Sequence, residues 1–156
     1  VTLAVAMLGV DVGTVRIGIA ACGAGVSLAV PVETVPRGEG DLARIATIAQ
    51  ERQARVIFVG DPITLSGDVG PAAVAARQFA ADLAIVVPDA EVRMVDERLS
   101  TAQSARSLAA AGRDTRQARN VVDQAAATAI LQNAVDAESE TGRLAGYPLS
   151  KSEKKT

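Results

Sequence analysis

The chain has 156 residues, 49% of them hydrophobic but only 2% aromatic, so a domain-sized core must be built from Ala, Val, Leu and Ile. With no histidine and a single cysteine, Cys22, it can form no Ser-His-Asp or Cys-His centre, no thiolate zinc cluster and no intrachain disulfide. A formal charge of −2 does not mark a nucleic-acid binder and the scarcity of aromatics leaves no base-stacking platform, so any nucleic-acid contact must go to phosphates and shape.

The segment Val5 to Val10 is an apolar strand that ends in Asp11, turns through Gly13-Thr14 and returns as Ile17-Gly18-Ile19-Ala20, a hairpin in a sheet core. A lone carboxylate at such a place is costly unless a charge or metal compensates it. The alternative is that Asp11 fastens the turn by accepting from the amides of Gly13 and Thr14. Cys22 suits a small core filler, with an interchain disulfide as the alternative. The stretch Val26 to Val35 is β-prone, and Pro31 demotes it to an edge or bulged strand. Asp41 is placed to cap a helix whose Leu42, Ile45, Ala46 and Ala49 share a face. Arg55 to Gly60 is a short continuous apolar strand of the kind found in a covered parallel sheet.

Asp61 to Pro71 reads as a loop, and Pro71 suits the first position of a helix that carries Ala75, Phe79 and Leu83. Glu91 to Val95 is the next strand, followed by Asp96-Glu97-Arg98. Ser100 and Gln103 have capping-box spacing for an alanine-rich helix that stops at Gly112. Asp114 and Gln117 open a last helix that runs to about Glu138. The pattern predicts one domain over residues 1–140 and a flexible C-terminal tail over 141–156. Val1 to Val10 is too short to span a bilayer and lacks a basic leader, which points to a cytoplasmic protein without membrane contact.

Early strands joined by short turns are antiparallel, and later ones joined through helices are parallel. The expected class is therefore α/β, with a mixed five-stranded sheet and helices on both faces. Sites in such sheets collect beyond the carboxyl ends of strands, where Asp11 and Glu97 fall. Alternation sends Asp96 and Glu97 to opposite faces, so only one of them can join Asp11. Glu97 can otherwise pair with Arg98 or Arg93, and Asp123 with Arg119, four residues away on one helix.

Gly9-Val10-Asp11-Val12-Gly13-Thr14-Val15-Arg16-Ile17-Gly18-Ile19-Ala20 resembles the opening motif of the YqgF/RuvX family. Val59-Gly60-Asp61-Pro62-Ile63, Val95-Asp96-Glu97-Arg98-Leu99-Ser100-Thr101 and Asp123-Gln124-Ala125-Ala126-Ala127-Thr128-Ala129-Ile130-Leu131-Gln132 resemble its later motifs, in the same order. The resemblance runs from about Leu8 to Gln132. It implies a ribonuclease H-like fold with sheet order 3-2-1-4-5. It also implies a nuclease that resolves four-way Holliday junctions in DNA or matures the 5′ end of pre-16S rRNA. The family's acidic residues fall on Asp11, Glu97 and Asp123. Asp61 departs from the pattern, because the family usually has an apolar residue there, and it adds a negative charge near the substrate loop.

Phosphodiester hydrolysis without histidine needs another way to activate water and to neutralise charge on the phosphate. Two divalent ions about 3.5–4 Å apart do both, and Mg²⁺ or Mn²⁺ suits an all-oxygen carboxylate site. In this reading Asp11, Glu97 and Asp123 are the metal ligands, and Arg16, Arg98, Arg113, Arg116 and Arg119 contact nucleic-acid phosphates. Cleavage of two strands of a junction favours a homodimer. Two other readings remain open: a non-catalytic protein that binds RNA, ribosome precursors or a partner protein, and a kinase-like ATP module built on Asp11-Val12-Gly13-Thr14.

Overall fold

The computed structural model describes residues 5–63, 67–97 and 116–149, with side chains of the last segment from residue 121. Strands β1 (Ala6–Val12) and β2 (Arg16–Cys22) form the expected antiparallel hairpin, and β3 (Val30–Pro36) joins the outer edge of β2. Two parallel strands follow on the other side of β1: β4 (Ala54–Asp61) beside β1, then β5 (Glu91–Asp96) beside β4. Helix α1 (Asp41–Glu51) lies between β3 and β4 in the chain, α2 (Pro71–Val86) between β4 and β5, and α3 (Arg116–Thr141) after β5.

The order β3-β2-β1-β4-β5 matches expectation, but the sheet has six strands rather than five. The sixth, β6 (Tyr147–Pro148), pairs antiparallel with β5 and comes from the stretch read as a tail. A two-residue strand containing proline has no periodicity to read. It is held from outside itself: Arg93 donates to the carbonyls of Ala145 (2.8 Å) and Gly146 (3.0 Å), and the Leu149 amide donates to Val92 (3.1 Å).

Two boundaries differ from the sequence reading. Asp41 is the first residue of α1 rather than its cap, and Gly40 takes the cap position with φ 90°. The Asp41 carboxylate instead accepts from the amides of Gly38 (3.0 Å) and Leu42 (2.7 Å). The third strand starts at Val30, and its register shifts opposite Ile19 and Ala20, where Pro31 has no N–H to give the ladder. Pro71 opens α2 as predicted. The helix assigned to Ser100–Gly112 lies outside the described residues.

The sheet separates two apolar layers by strand alternation. Leu8, Val10, Ile57, Val59, Val92 and Met94 pack with Ile45 and Ile48 of α1 and Phe79 and Leu83 of α2. Met7, Ala20, Cys22 and Phe58 pack with Ala126, Ala127, Ile130 and Leu131 of α3. The two phenylalanines are divided between the layers, and small aliphatic side chains supply the rest of the core, each large one worth roughly 1.5–3 kcal/mol on burial. Cys22 is 5% exposed within the second layer, which fits a filler and not a bridge to another chain. Burial pushes its thiol pKa up, and the nearby Glu138 charge adds to the effect.

Candidate nuclease site

Alternation decides which acids meet. Val10 belongs to the α1/α2 layer, so Asp11 belongs to the α3 side. Met94 also belongs to the α1/α2 layer, so Asp96, two residues on, shares that side, and Glu97 falls towards α3. Asp11 and Glu97 are accordingly buried, at 7% and 5% exposure, and both line one cavity of about 300 Å³ at the carboxyl ends of β1, β4 and β5. Asp123, on α3, lines the same cavity. The fold thus brings together the three carboxylates that the sequence singled out.

Two glycines make this convergence possible. Gly18 faces Asp11 across the β1–β2 ladder, and a β-carbon on it would overlap the main-chain carbonyl of Asp123. At Gly60 a β-carbon would stand 2.6 Å from Ile130 Cδ1 and 3.0 Å from Glu97 Cγ. Contacts this short exclude any larger residue unless the helix, the Ile130 side chain or the acid moves.

The turn that follows Asp11 is held by main-chain bonds and by Arg37. The Gly13 amide donates to the Arg16 carbonyl (2.9 Å), closing the hairpin. Arg37, at the end of β3, donates through Nη1 to the Gly13 carbonyl (2.9 Å) and through its own amide to Val15 (2.8 Å). Its guanidinium stacks over Phe79, 5.1 Å from the ring centre. Nothing in the local sequence marks Arg37 for this role, because its partners lie on other elements.

Arg16 does not point freely at solvent. Its Nε donates to Asp123 Oδ2 at 2.7 Å, with side-chain exposures of 29% and 15%. The Arg119–Asp123 pair considered from helical spacing lies outside the described residues, because the Arg119 side chain does. Arg93 is engaged by Glu91 and the carbonyls of residues 144–146, so it is not the surface partner considered for Glu97. Arg98 and Arg113 lie outside the described residues. Arg116 and Arg119 lie in α3, seven and four residues before Asp123, with side chains outside the description.

Asp61 turns out to face the other layer. It is 1% exposed, and Arg77 of α2 grips it with Nε at 3.2 Å from both oxygens and Nη2 at 2.8 Å from Oδ2. The Tyr147 hydroxyl adds a bond of 3.2 Å to the same oxygen. The extra negative charge is therefore neutralised inside the fold rather than presented to a substrate. Asp61 raises the Arg77 pKa in return, chiefly through the hydrogen bond. Pro62 and Ala72 also line the acidic cavity, a contribution of the β4–α2 connection signalled only by Gly70-Pro71.

The donor chemistry is all oxygen and suits a hard divalent ion. Among the described residues, however, no three acidic or cysteine side chains stand close enough to share one ion as arranged. Asp123 is already engaged by Arg16. No helix among the described residues is long and apolar enough to cross a membrane.

Comparison with known proteins agrees with this fold. The solved structure of Thermus thermophilus RuvC in complex with a Holliday junction substrate superposes with a TM-score of 0.52 at 19% identity, covering 93% of this chain and 99% of that one. At that identity the likeness shows the fold, which is ribonuclease H-like. A protein of Nocardia farcinica named "Putative pre-16S rRNA nuclease" is 46% identical over 147 residues, covering 89% of this chain and 82% of its own. A Thermobifida fusca protein of the same name is 48% identical over 141 residues, covering 86% and 89% respectively. The sequence model of the RuvX family, described as Holliday junction resolvase, matches residues 5–137, and the chain belongs to that family.

Proposed function

We propose that the protein is a divalent-metal-dependent endonuclease that hydrolyses phosphodiester bonds in structured nucleic acid, either four-way DNA junctions or the 5′ end of pre-16S rRNA. The observation that carries this reading is the pair of buried carboxylates, Asp11 and Glu97, lining one cavity with Asp123. Buried carboxylates are paired with a charge or coordinate a metal. Asp11, Glu97 and Asp123 would hold Mg²⁺ or Mn²⁺, which when bound supplies an activated water and neutralises charge on the phosphate.

The chain's own residues do the positioning. Asp11 ends the central strand of the sheet, and the hairpin behind it is closed by Gly13 and held by Arg37, so its carboxylate is presented from a rigid support. Arg16 stands at the cavity wall, where its planar guanidinium can meet a phosphate. Arg98, Arg113, Arg116 and Arg119 would add further phosphate contacts. A homodimer would supply the second cut that a junction needs, and the protein would act in the cytoplasm.

The test offers purified protein four-way DNA junctions, pre-16S RNA and plain duplex, with Mg²⁺ or Mn²⁺, beside an Asp11→Asn control. Structured substrate cut by the wild type alone is the expected result. No cleavage of any substrate with either metal would sink the enzymatic reading, and binding without cleavage would turn it into a non-catalytic one.

A further inference from the structure

We propose that Arg16 is the resident cation of the acidic site, and that a divalent ion and the Arg16 guanidinium exchange at the Asp123 carboxylate. This rests on the reading of Asp11, Glu97 and Asp123 as metal ligands. The pair joins the start of β2 to α3, 107 residues apart in the chain, through one bond of 2.7 Å. Both residues line the cavity that Asp11 and Glu97 also line. With 29% and 15% side-chain exposure, the pair is part of the cavity wall rather than a solvated surface link.

A guanidinium on Asp123 neutralises one of three acids that would otherwise repel one another across a small cavity. It also occupies one of the two carboxylate oxygens, Oδ2, and two cations at one carboxylate repel. An ion bound at Asp123 would therefore compete with Arg16 for that carboxylate. The released fork, still anchored at the cavity by β2, has the geometry to take two oxygens of a phosphate. Metal loading and phosphate binding then favour each other, since a phosphate that holds Arg16 removes the competitor for Asp123. That coupling is reciprocal by linkage.

The experiment titrates Mn²⁺ into the wild-type, Arg16→Gln and Arg16→Lys proteins by calorimetry, with thermal melts to establish folding. The Arg16→Gln protein is expected to bind Mn²⁺ about tenfold more tightly than the wild type, the scale of one charge-assisted hydrogen bond removed. Arg16→Lys, which keeps the charge but not the fork, falls between them. Mn²⁺ also raises wild-type affinity for a four-way junction with uncleavable phosphorothioate linkages, and that gain shrinks in Arg16→Gln. Equal or weaker Mn²⁺ binding by Arg16→Gln, with the wild type binding, overturns the exchange alone. A wild-type protein that binds no Mn²⁺ overturns the metal-site reading beneath it. Should Arg16→Gln melt below the assay temperature, wild-type affinity in Arg16→Lys overturns the proposal by itself.

Discussion

The main chain of Asp123 rests directly on β2 at Gly18, where a single β-carbon would overlap its carbonyl oxygen. Because Gly18 is also the ladder partner of Asp11, this contact sets the spacing between two of the three acids. Gly18→Ala must either push α3 away from the sheet or strain the hairpin, at a cost of about 1–3 kcal/mol. We expect a lowered urea midpoint and, in the fraction still folded, cleavage reduced at least about tenfold, as misplacement near reacting groups does. Gly23→Ala is the control, because its β-carbon would meet Val26 at an ordinary 3.6 Å. Equal activity in the two folded variants would show that the Gly18 contact does not position the site.

The pair of Asp61 and Arg77 makes a separate prediction about stability. Arg77→Ala leaves a carboxylate of 1% exposure with the Tyr147 hydroxyl as its described partner. Breaking a buried pair costs about 3–5 kcal/mol, and the 35% exposure of the Arg77 side chain puts the loss near the lower end. Asp61→Val combined with Arg77→Met removes both charges together and should recover most of the loss, since Tyr147 is half exposed and can turn to water. Urea unfolding of the wild type, the single variant and the double variant measures this. A double variant as unstable as Arg77→Ala would mean that the charge pair is not what the site requires.

The strands of the sheet were legible because each carries a clear period or an unbroken apolar run, as Leu8, Val10, Ile57 and Val59 illustrate. Asp11 and Glu97 were legible at strand ends and Asp123 only through the family resemblance, and alternation alone already required that Asp96 and Glu97 part company. The pairings were not legible. Arg16 meets Asp123 across 107 residues, and Asp61 meets Tyr147 across 86, so no local spacing announces either bond. Asp61 looked like a charge on a loop because its β4 neighbours gave no hint that Arg77 waited on the facing helix. The strand β6 escaped for a similar reason: Arg93 and Val92 hold it from β5, and its own two residues carry no signal.

Glu138 of α3 is 2% exposed, and neither carboxylate oxygen has a hydrogen-bond partner among the described residues. Desolvation by burial raises its pKa above the ordinary carboxylate value. The folded chain therefore holds this proton more tightly than the unfolded chain. The stabilisation is fully present below the unfolded pKa and is lost as pH rises through the raised folded value. Glu138→Gln is expected to gain on the order of 1 kcal/mol at pH 7, where the wild-type group is charged or costly to protonate. Its stability should also fall less between pH 5 and pH 7 than that of the wild type. Parallel pH–stability curves for the two proteins would show that Glu138 does not titrate in its buried state.

Asp96 and Glu97 offer the sharpest separation of structural from functional charge, since they are adjacent and differ mainly in the side they serve. Asp96 pairs in register with Asp61 and shares the α1/α2 side, whereas Glu97 is buried at the acidic cavity. If the carboxylate at the cavity is what cleavage needs, Glu97→Gln should abolish metal-dependent cutting while the protein stays folded. Asp96→Asn should leave the rate within about threefold of wild type, since each factor of ten in rate requires about 1.4 kcal/mol of lost transition-state stabilisation. The assay is initial-rate cleavage at saturating Mg²⁺ or Mn²⁺, with circular dichroism to confirm folding. Loss of activity in both variants would point to the charge of the whole strand end. Loss in Asp96→Asn alone would place the catalytic carboxylate on the α1/α2 side of the sheet.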